Sequence, residues 1–387
     1  MFDWKTLLKR MMIFLIMAIV IILPKIKTDD EIMEENRNGA MMTLQLNKKF
    51  ENLESSGGEK GKDYQQFYEF IHNTNRASES LLDNNLSDYL KYFSNAAKYG
   101  ETVYDNYPEF FGLGSTAMEV DNVPFKTAKE NVKRRFIRDY HKFEFYNSKL
   151  KELSFSDVLR SDIYEIIGEN NLFSNFFLIL FLIVVLMMDL ILRFEVKDSV
   201  WRTIPKSFVS YQIRKKLIST CLVFGMQVFV AMLVFVMLLL TKAINPLIVP
   251  SIVIFSMNNE ATSVSVFYFM ILILFIVFLL DLLFIMIATI LFQITKSKVF
   301  SSSLILFVLF LERMMIHSSM YKHFPALSPI YYIDTVSALN GNKSLIYNYP
   351  FSYMDACKSI FMYICLLFIL LILIIKQQDR RCKYGNK

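Results

Sequence analysis

Long apolar runs, separated by short polar or proline-bearing stretches, fill the second half of the chain. Leu172–Leu192 runs for 21 residues with one charge, Asp189; Leu217–Leu240 runs for 24 with none; Val264–Phe292 runs for 29 with only Asp281. A hydrocarbon core ~30 Å thick takes roughly 20 helical residues, so each run predicts a membrane-spanning helix. Three shorter runs extend the pattern. Met11–Leu23 gains Leu7 and Leu8, with Lys9 and Arg10 placed to snorkel and Trp4 suited to the interface. Pro24-Lys25-Ile26-Lys27 offers no small-x-small cleavage site, so this run reads as an anchor and not as a signal peptide. Val299–Leu311 is completed by Met314–Ile316, with Glu312 and Arg313 at the outer headgroups, and Ile360–Ile375 by Ala356 and Cys357. The pattern predicts six spans.

Between the first two spans the period becomes that of water-facing helices. Phe67, Phe70, Ile71, Leu81, Leu82, Leu86, Leu90 and Phe93 recur mostly at three-, four- and seven-residue intervals. Val132, Phe136, Ile137, Tyr140, Phe143, Leu150 and Leu153 do the same further on. Glu54–Lys62 reads as a turn and Pro108–Pro124 as a break, and no stretch alternates convincingly as a strand. Thr241–Glu260 is apolar but holds Pro246 and Pro250, which predicts a segment resting at, or dipping into, the outer interface. Ile330, Ile333, Val336 and Leu339 predict a short interfacial helix closed by Asn340-Gly341. The fold class expected is an all-α polytopic membrane protein with six transmembrane helices. Its parts are 1–26 (cytoplasmic N-terminus and first span), 27–171 (a mainly helical external domain) and 172–387 (spans two to six, with a cytoplasmic loop at 193–216).

Charge sets the expected orientation. Mean hydropathy is +0.36 and net charge +6. Six spans gather both termini and the 193–216 and 293–298 loops on one side, where 17 Lys and Arg accompany four acids. Pro24–Asn171 carries 20 basic and 26 acidic residues, so the positive-inside rule places it outside the cell and both termini in the cytoplasm. The four cysteines (Cys221, Cys357, Cys365, Cys382) lie in or beside spans or in the tail, and supply neither a disulfide framework for the external domain nor zinc spacing.

Candidate chemistry is sparse. Ser56–Tyr64 holds Gly57 and Gly61-Lys62, but the glycine spacing is one short of a phosphate loop and Asp63 replaces the required Ser/Thr, so it reads as a surface turn. His72, His141, His317 and His323 show no metal spacing and read as solvated or interfacial. Asp189 and Asp281 lack the glycine-rich setting and facing geometry of an intramembrane aspartyl protease. Asp189 reads as interfacial, whereas Asp281 lies deeper and calls for a hydrogen bond to a neighbouring helix or a polar cavity. Lys126, Lys129, Lys133, Arg134, Arg135 and Arg138 are interleaved with Glu130 and Asp139, and read as a solvated helix face and not as a nucleic-acid site.

The 193–216 loop holds seven basic residues, but also Val200, Trp201, Ile204, Phe208, Val209 and Tyr211, which form an apolar face when wound as a helix. Such a segment lies on the membrane or docks in a partner's groove. Glu195, Pro205-Lys206-Ser207, Tyr211 and Arg214-Lys215 after the second span, with Leu327–Gly341 ("LSPIYYIDTVSALNG") before the last, resemble the type-two permeases of ATP-binding-cassette (ABC) exporters. The glycine usual in that loop is replaced near Asp198-Ser199. The resemblance implies a coupling helix (Glu195, Val200, Trp201, Ile204, Pro205, Phe208, Tyr211) seated on a separate cytoplasmic ATPase, and a second permease chain completing a homo- or heterodimer. It implies no catalysis and no cofactor in this chain. A membrane-anchored sensor or scaffold whose external domain binds a peptide or wall component is the other reading the sequence leaves open.

Overall fold

A computed structural model describes residues 12, 13, 16, 28–54, 62–106, 119–120, 123–159, 181–185, 187, 192, 208–240, 249–255, 260–315, 328–341, 343 and 351–384. Most of the first two predicted spans (Asp189 included), residues 193–207, the turn at 55–61, most of the break at 107–124, His317 and His323 lie outside the described residues.

The first half is a helical unit: α1 (Asp29–Glu54), α2 (Lys62–Leu82), α3 (Leu86–Asn106), a two-residue strand pair β1 (Glu119–Val120) and β2 (Val123–Pro124), α4 (Phe125–Ser148) and α5 (Phe155–Leu159). Local chemistry starts and stops these helices. Thr28 and Glu31 form a capping box on α1, with Thr28 N–H donating to Glu31 Oε2 (2.8 Å) and Glu31 N–H to Thr28 Oγ1 (3.3 Å). Ser154–Asp157 caps α5 in the same way, and at the start of α3 Asn85 Oδ1 accepts from Asp88 N–H while its side-chain amide donates to Asp88 Oδ2. Asn84 ends α2 in the left-handed region, φ 59°, where asparagine is tolerated. The core is aromatic: the Phe93 and Phe143 rings meet at a 40° tilt with centroids 4.5 Å apart, and Tyr89 meets Phe155 at 5.5 Å. Gly100 lets α3 meet α4 closely, since a Cβ there would lie 2.4 Å from the Phe136 ring.

The second half contains α6 (Phe208–Leu240), β3 (Ser251–Phe255), β4 (Ala261–Ser265), α7 (Val266–Thr295), α8 (Lys298–Met315), α9 (Thr335–Leu339) and α10 (Tyr353–Tyr384). Among the described residues, three stretches are long and apolar enough to cross a membrane: Ser210–Met237, Val266–Thr295 and Tyr353–Gln377. Lys298–Leu311 in α8 is a shorter apolar helix. α7 is the central rod, packed on by α6, α8 and α10, with Ile276, Leu280, Ile285 and Ala288 fully buried. It ends at Lys296, φ 55°, and Ser297 caps α8 through Phe300 N–H at 3.2 Å, so the connection is a two-residue turn.

Three expectations are corrected. First, the fold is not purely helical: Ser251–Phe255 pairs antiparallel with Ala261–Ser265 in register Ser251↔Ser265 through Phe255↔Ala261. The β-branched run Ile252-Val253-Ile254 favours a strand once a partner satisfies its backbone. Second, the 330–339 segment is not one continuous helix, although α9 (Thr335–Leu339) does end at Asn340-Gly341. Pro329–Tyr332 forms a 3₁₀ turn, and Tyr331, Tyr332, Ile333 and Val336 are buried against the long helices.

Third, the basic run on α4 is a solvated face only in part: Arg135 is exposed and pairs with Asp139 at 3.8 Å, but other cations of this helix turn inward. Arg134 is 1% exposed, and Arg138 and Lys142 are also buried. α4 has two working faces. Phe136 and Phe143 point into the helical unit, while Arg134, Arg138 and His141, spaced by four and three, meet the β3–β4 hairpin. Arg134 Nη1 donates to Gly341 O (2.7 Å), His141 Nε2 shares a hydrogen bond with Ser251 Oγ (2.8 Å), and Val249 enters the core of the helical unit. The carbonyl, the hydroxyl and the ring face of Phe255 replace the water these side chains would otherwise keep.

Candidate functional site: a polar seam between apolar helices

In a helix pair as apolar as α6 and α7, polar side chains turned inward need partners, because neither lipid nor core supplies them. On α6, Gln212, Lys216, Ser219, Thr220 and Gln227 are buried along one face, continued by Val223, Val230 and Val234. On α7, Asp281 and Thr289 are 0% exposed. The helices run antiparallel, so their polar residues meet in two rungs. Lys216 Nζ donates to Thr289 Oγ1 at 2.8 Å, while Thr289 donates to Ile285 O at 2.7 Å and Thr220 to Lys216 O at 2.9 Å. Nearer the hairpin end of α7, Gln227 Nε2 donates to Asp281 Oδ1 at 2.9 Å. Asp281 Oδ2, Gln212 Oε1 and Ser359 Oγ are buried and make no hydrogen bond among the described residues.

The neighbouring-helix partner that the depth of Asp281 calls for is therefore Gln227, a residue the apolar pattern conceals because it carries no charge. Lys216, counted in the sequence among the loop cations, is turned into the protein instead. The seam presents hydrogen-bonding groups in a low-dielectric setting but no nucleophile–base pair. Among the described residues no three His, Cys, Asp or Glu side chains come together as a metal site.

Of the expected coupling residues, Glu195, Val200, Trp201, Ile204 and Pro205 lie outside the described residues. Phe208 is the first residue of α6, and Tyr211 follows in its first turn, half-buried, with Lys215 Nζ 5.9 Å from its ring centre. Phe208 and Tyr211 thus belong to the same unbroken helix as the apolar span that follows them. Comparison with protein-family models, with curated proteins and with solved structures finds nothing that matches this chain.

Proposed function

We propose that this chain is the permease subunit of an ABC exporter in a bacterial cell membrane. In this reading it has six spans, cytoplasmic termini and residues 27–171 outside, and it pairs with a second permease chain and a separate cytoplasmic ATPase. It moves its substrate (a peptide, toxin, lipid or drug) without catalysing a reaction itself. The observation that carries the reading is α6. Its 33 residues make a rod about 50 Å long, well beyond a ~30 Å hydrocarbon core. In this reading the end of the rod holding Tyr211 and Arg214-Lys215 projects from the membrane. A partner pushing on the 193–216 loop acts directly on a span, and the Lys216–Thr289 and Gln227–Asp281 rungs hand that motion to α7.

The test is recovery of the co-expressed ATPase by pull-down at equal membrane expression. Trp201→Ala with Phe208→Ala removes the apolar anchors of the docking face while leaving the basic residues that orient the chain. A desolvated interface tryptophan contributes ~2 kcal/mol or more, so affinity falls by roughly 30-fold. Undiminished recovery overturns the coupling-helix assignment, and absence of any ATPase partner favours a sensor or scaffold.

A further inference from the structure

Where α4 meets the hairpin, the contact has a build that simple adhesion does not need. Arg134 and Arg138, one turn apart, each place the guanidinium carbon 5.0 Å from the centre of the same Phe255 ring. Arg134 also holds Gly341 O at 2.7 Å. Phe255 is fixed from its other side: its N–H donates to Asn340 O at 3.2 Å, and Gly341, at φ 90°, packs so closely that a Cβ would lie 2.2 Å from Phe255 O. There is no slack beyond the ring either. The hairpin is paired over its whole length, and Val266 N–H, the first of α7, donates to Pro250 O at 3.0 Å at its base. No linker separates β4 from α7.

We propose that this Arg134–Arg138–Phe255–Gly341 clamp is a mechanical coupling through which displacement of α4 within the helical unit is delivered to the first turns of α7. Two features favour transmission over mere attachment. A buried guanidinium cannot slide off the Phe255 ring, or in Arg134 off the Gly341 carbonyl, without losing a desolvated contact that water is not there to replace, so the joint holds or opens as a unit. The opposite face of α4 carries Phe136, seated against Gly100 and Phe70, so whatever shifts the α3–α4 contact also moves the arginines. The inference does not depend on the permease reading, since a sensor would use the same joint.

Hydrogen exchange on the purified full chain in lipid nanodiscs tests it. Gly100→Ala wedges the α3–α4 contact from the side away from the hairpin, and should raise exchange both in α4 and across 261–270. Adding Phe255→Leu keeps an apolar side chain but removes the ring face; against Phe255→Leu alone, the wedge should then affect α4 only. A desolvated cation–π contact shifts a local opening equilibrium by roughly tenfold, which exchange resolves. If Gly100→Ala does not fold, Phe136→Leu loosens the same contact without a clash and the same comparison is made. A wedge effect at 261–270 that is equal with and without Phe255, or absent with the clamp intact, overturns the proposal.

Discussion

Gln227 and Asp281 meet where neither reaches solvent, and the consequence of breaking them apart is asymmetric. Removing one partner leaves the other's polar group buried without that hydrogen bond, which costs about 1–3 kcal/mol, whereas replacing both with apolar groups is close to neutral. Gln227→Leu and Asp281→Leu should therefore each lower the melting temperature of the purified chain in detergent, and the double variant should regain most of the loss. Asp281→Asn keeps an acceptor for the Gln227 amide and should melt above Asp281→Leu. Additive losses in the double variant would show that the pair acts through packing and not through its bond. Asp281 was legible in the sequence as a charge deep in an apolar run. Arg134 and Arg138 were not legible as buried groups. A helical basic stripe looks the same whether it faces water or a partner, and its partner, Phe255, stands more than a hundred positions away among other apolar residues.

At the scale of elements, helices were read well and strands were not. The long helices α6 and α7 follow from run length alone, α10 from a shorter run completed by Ala356 and Cys357, and α2–α4 from apolar spacing. The start of α1 was written in Thr28-x-x-Glu31, a local signal that the search for an apolar stripe passes over. The hairpin was hidden because its first strand is apolar on successive positions and follows two prolines, so it resembles a broken span until its partner across the turn is known. The α6–α7 contact has a second rung that can be isolated. Thr289→Val preserves side-chain shape but removes the oxygen that accepts from Lys216, while Thr289→Ser preserves the oxygen. A hydrogen bond to a charged donor is worth about 1–3 kcal/mol, with values in membranes toward the low end. The valine variant should unfold at lower denaturant than the serine variant in a detergent titration; loss in the serine variant with none in the valine variant would assign the effect to the methyl group.

For the whole molecule, the two ends of the helix array differ in what they carry. α7 begins at the hairpin and α10 begins just after the 328–343 turn; both elements, with α4 docked on them, lie at one end. At the other end, Lys216 on α6 meets Thr289 near the end of α7, and Ile375 near the end of α10 packs against Ile290. This sorting matches the charge pattern of the sequence: the described part of the acidic 27–171 segment docks at the first end through α4, and Lys216, Lys296 and Lys298 lie at the second. A bilayer with positive charge retained inside orients such an array in one way only. In a background with Cys221, Cys357, Cys365 and Cys382 replaced, a cysteine at Ser56 should react with an impermeant thiol reagent on intact cells. One at Ser207 should react only after the membrane is opened. The inverse result would reverse the orientation, and labelling at both positions on intact cells would mean that an even number of crossings separates them. Because Ser56 and Ser207 flank the second predicted span, the pair also counts it: protection at one and exposure at the other requires that the Leu172–Leu192 run cross the membrane.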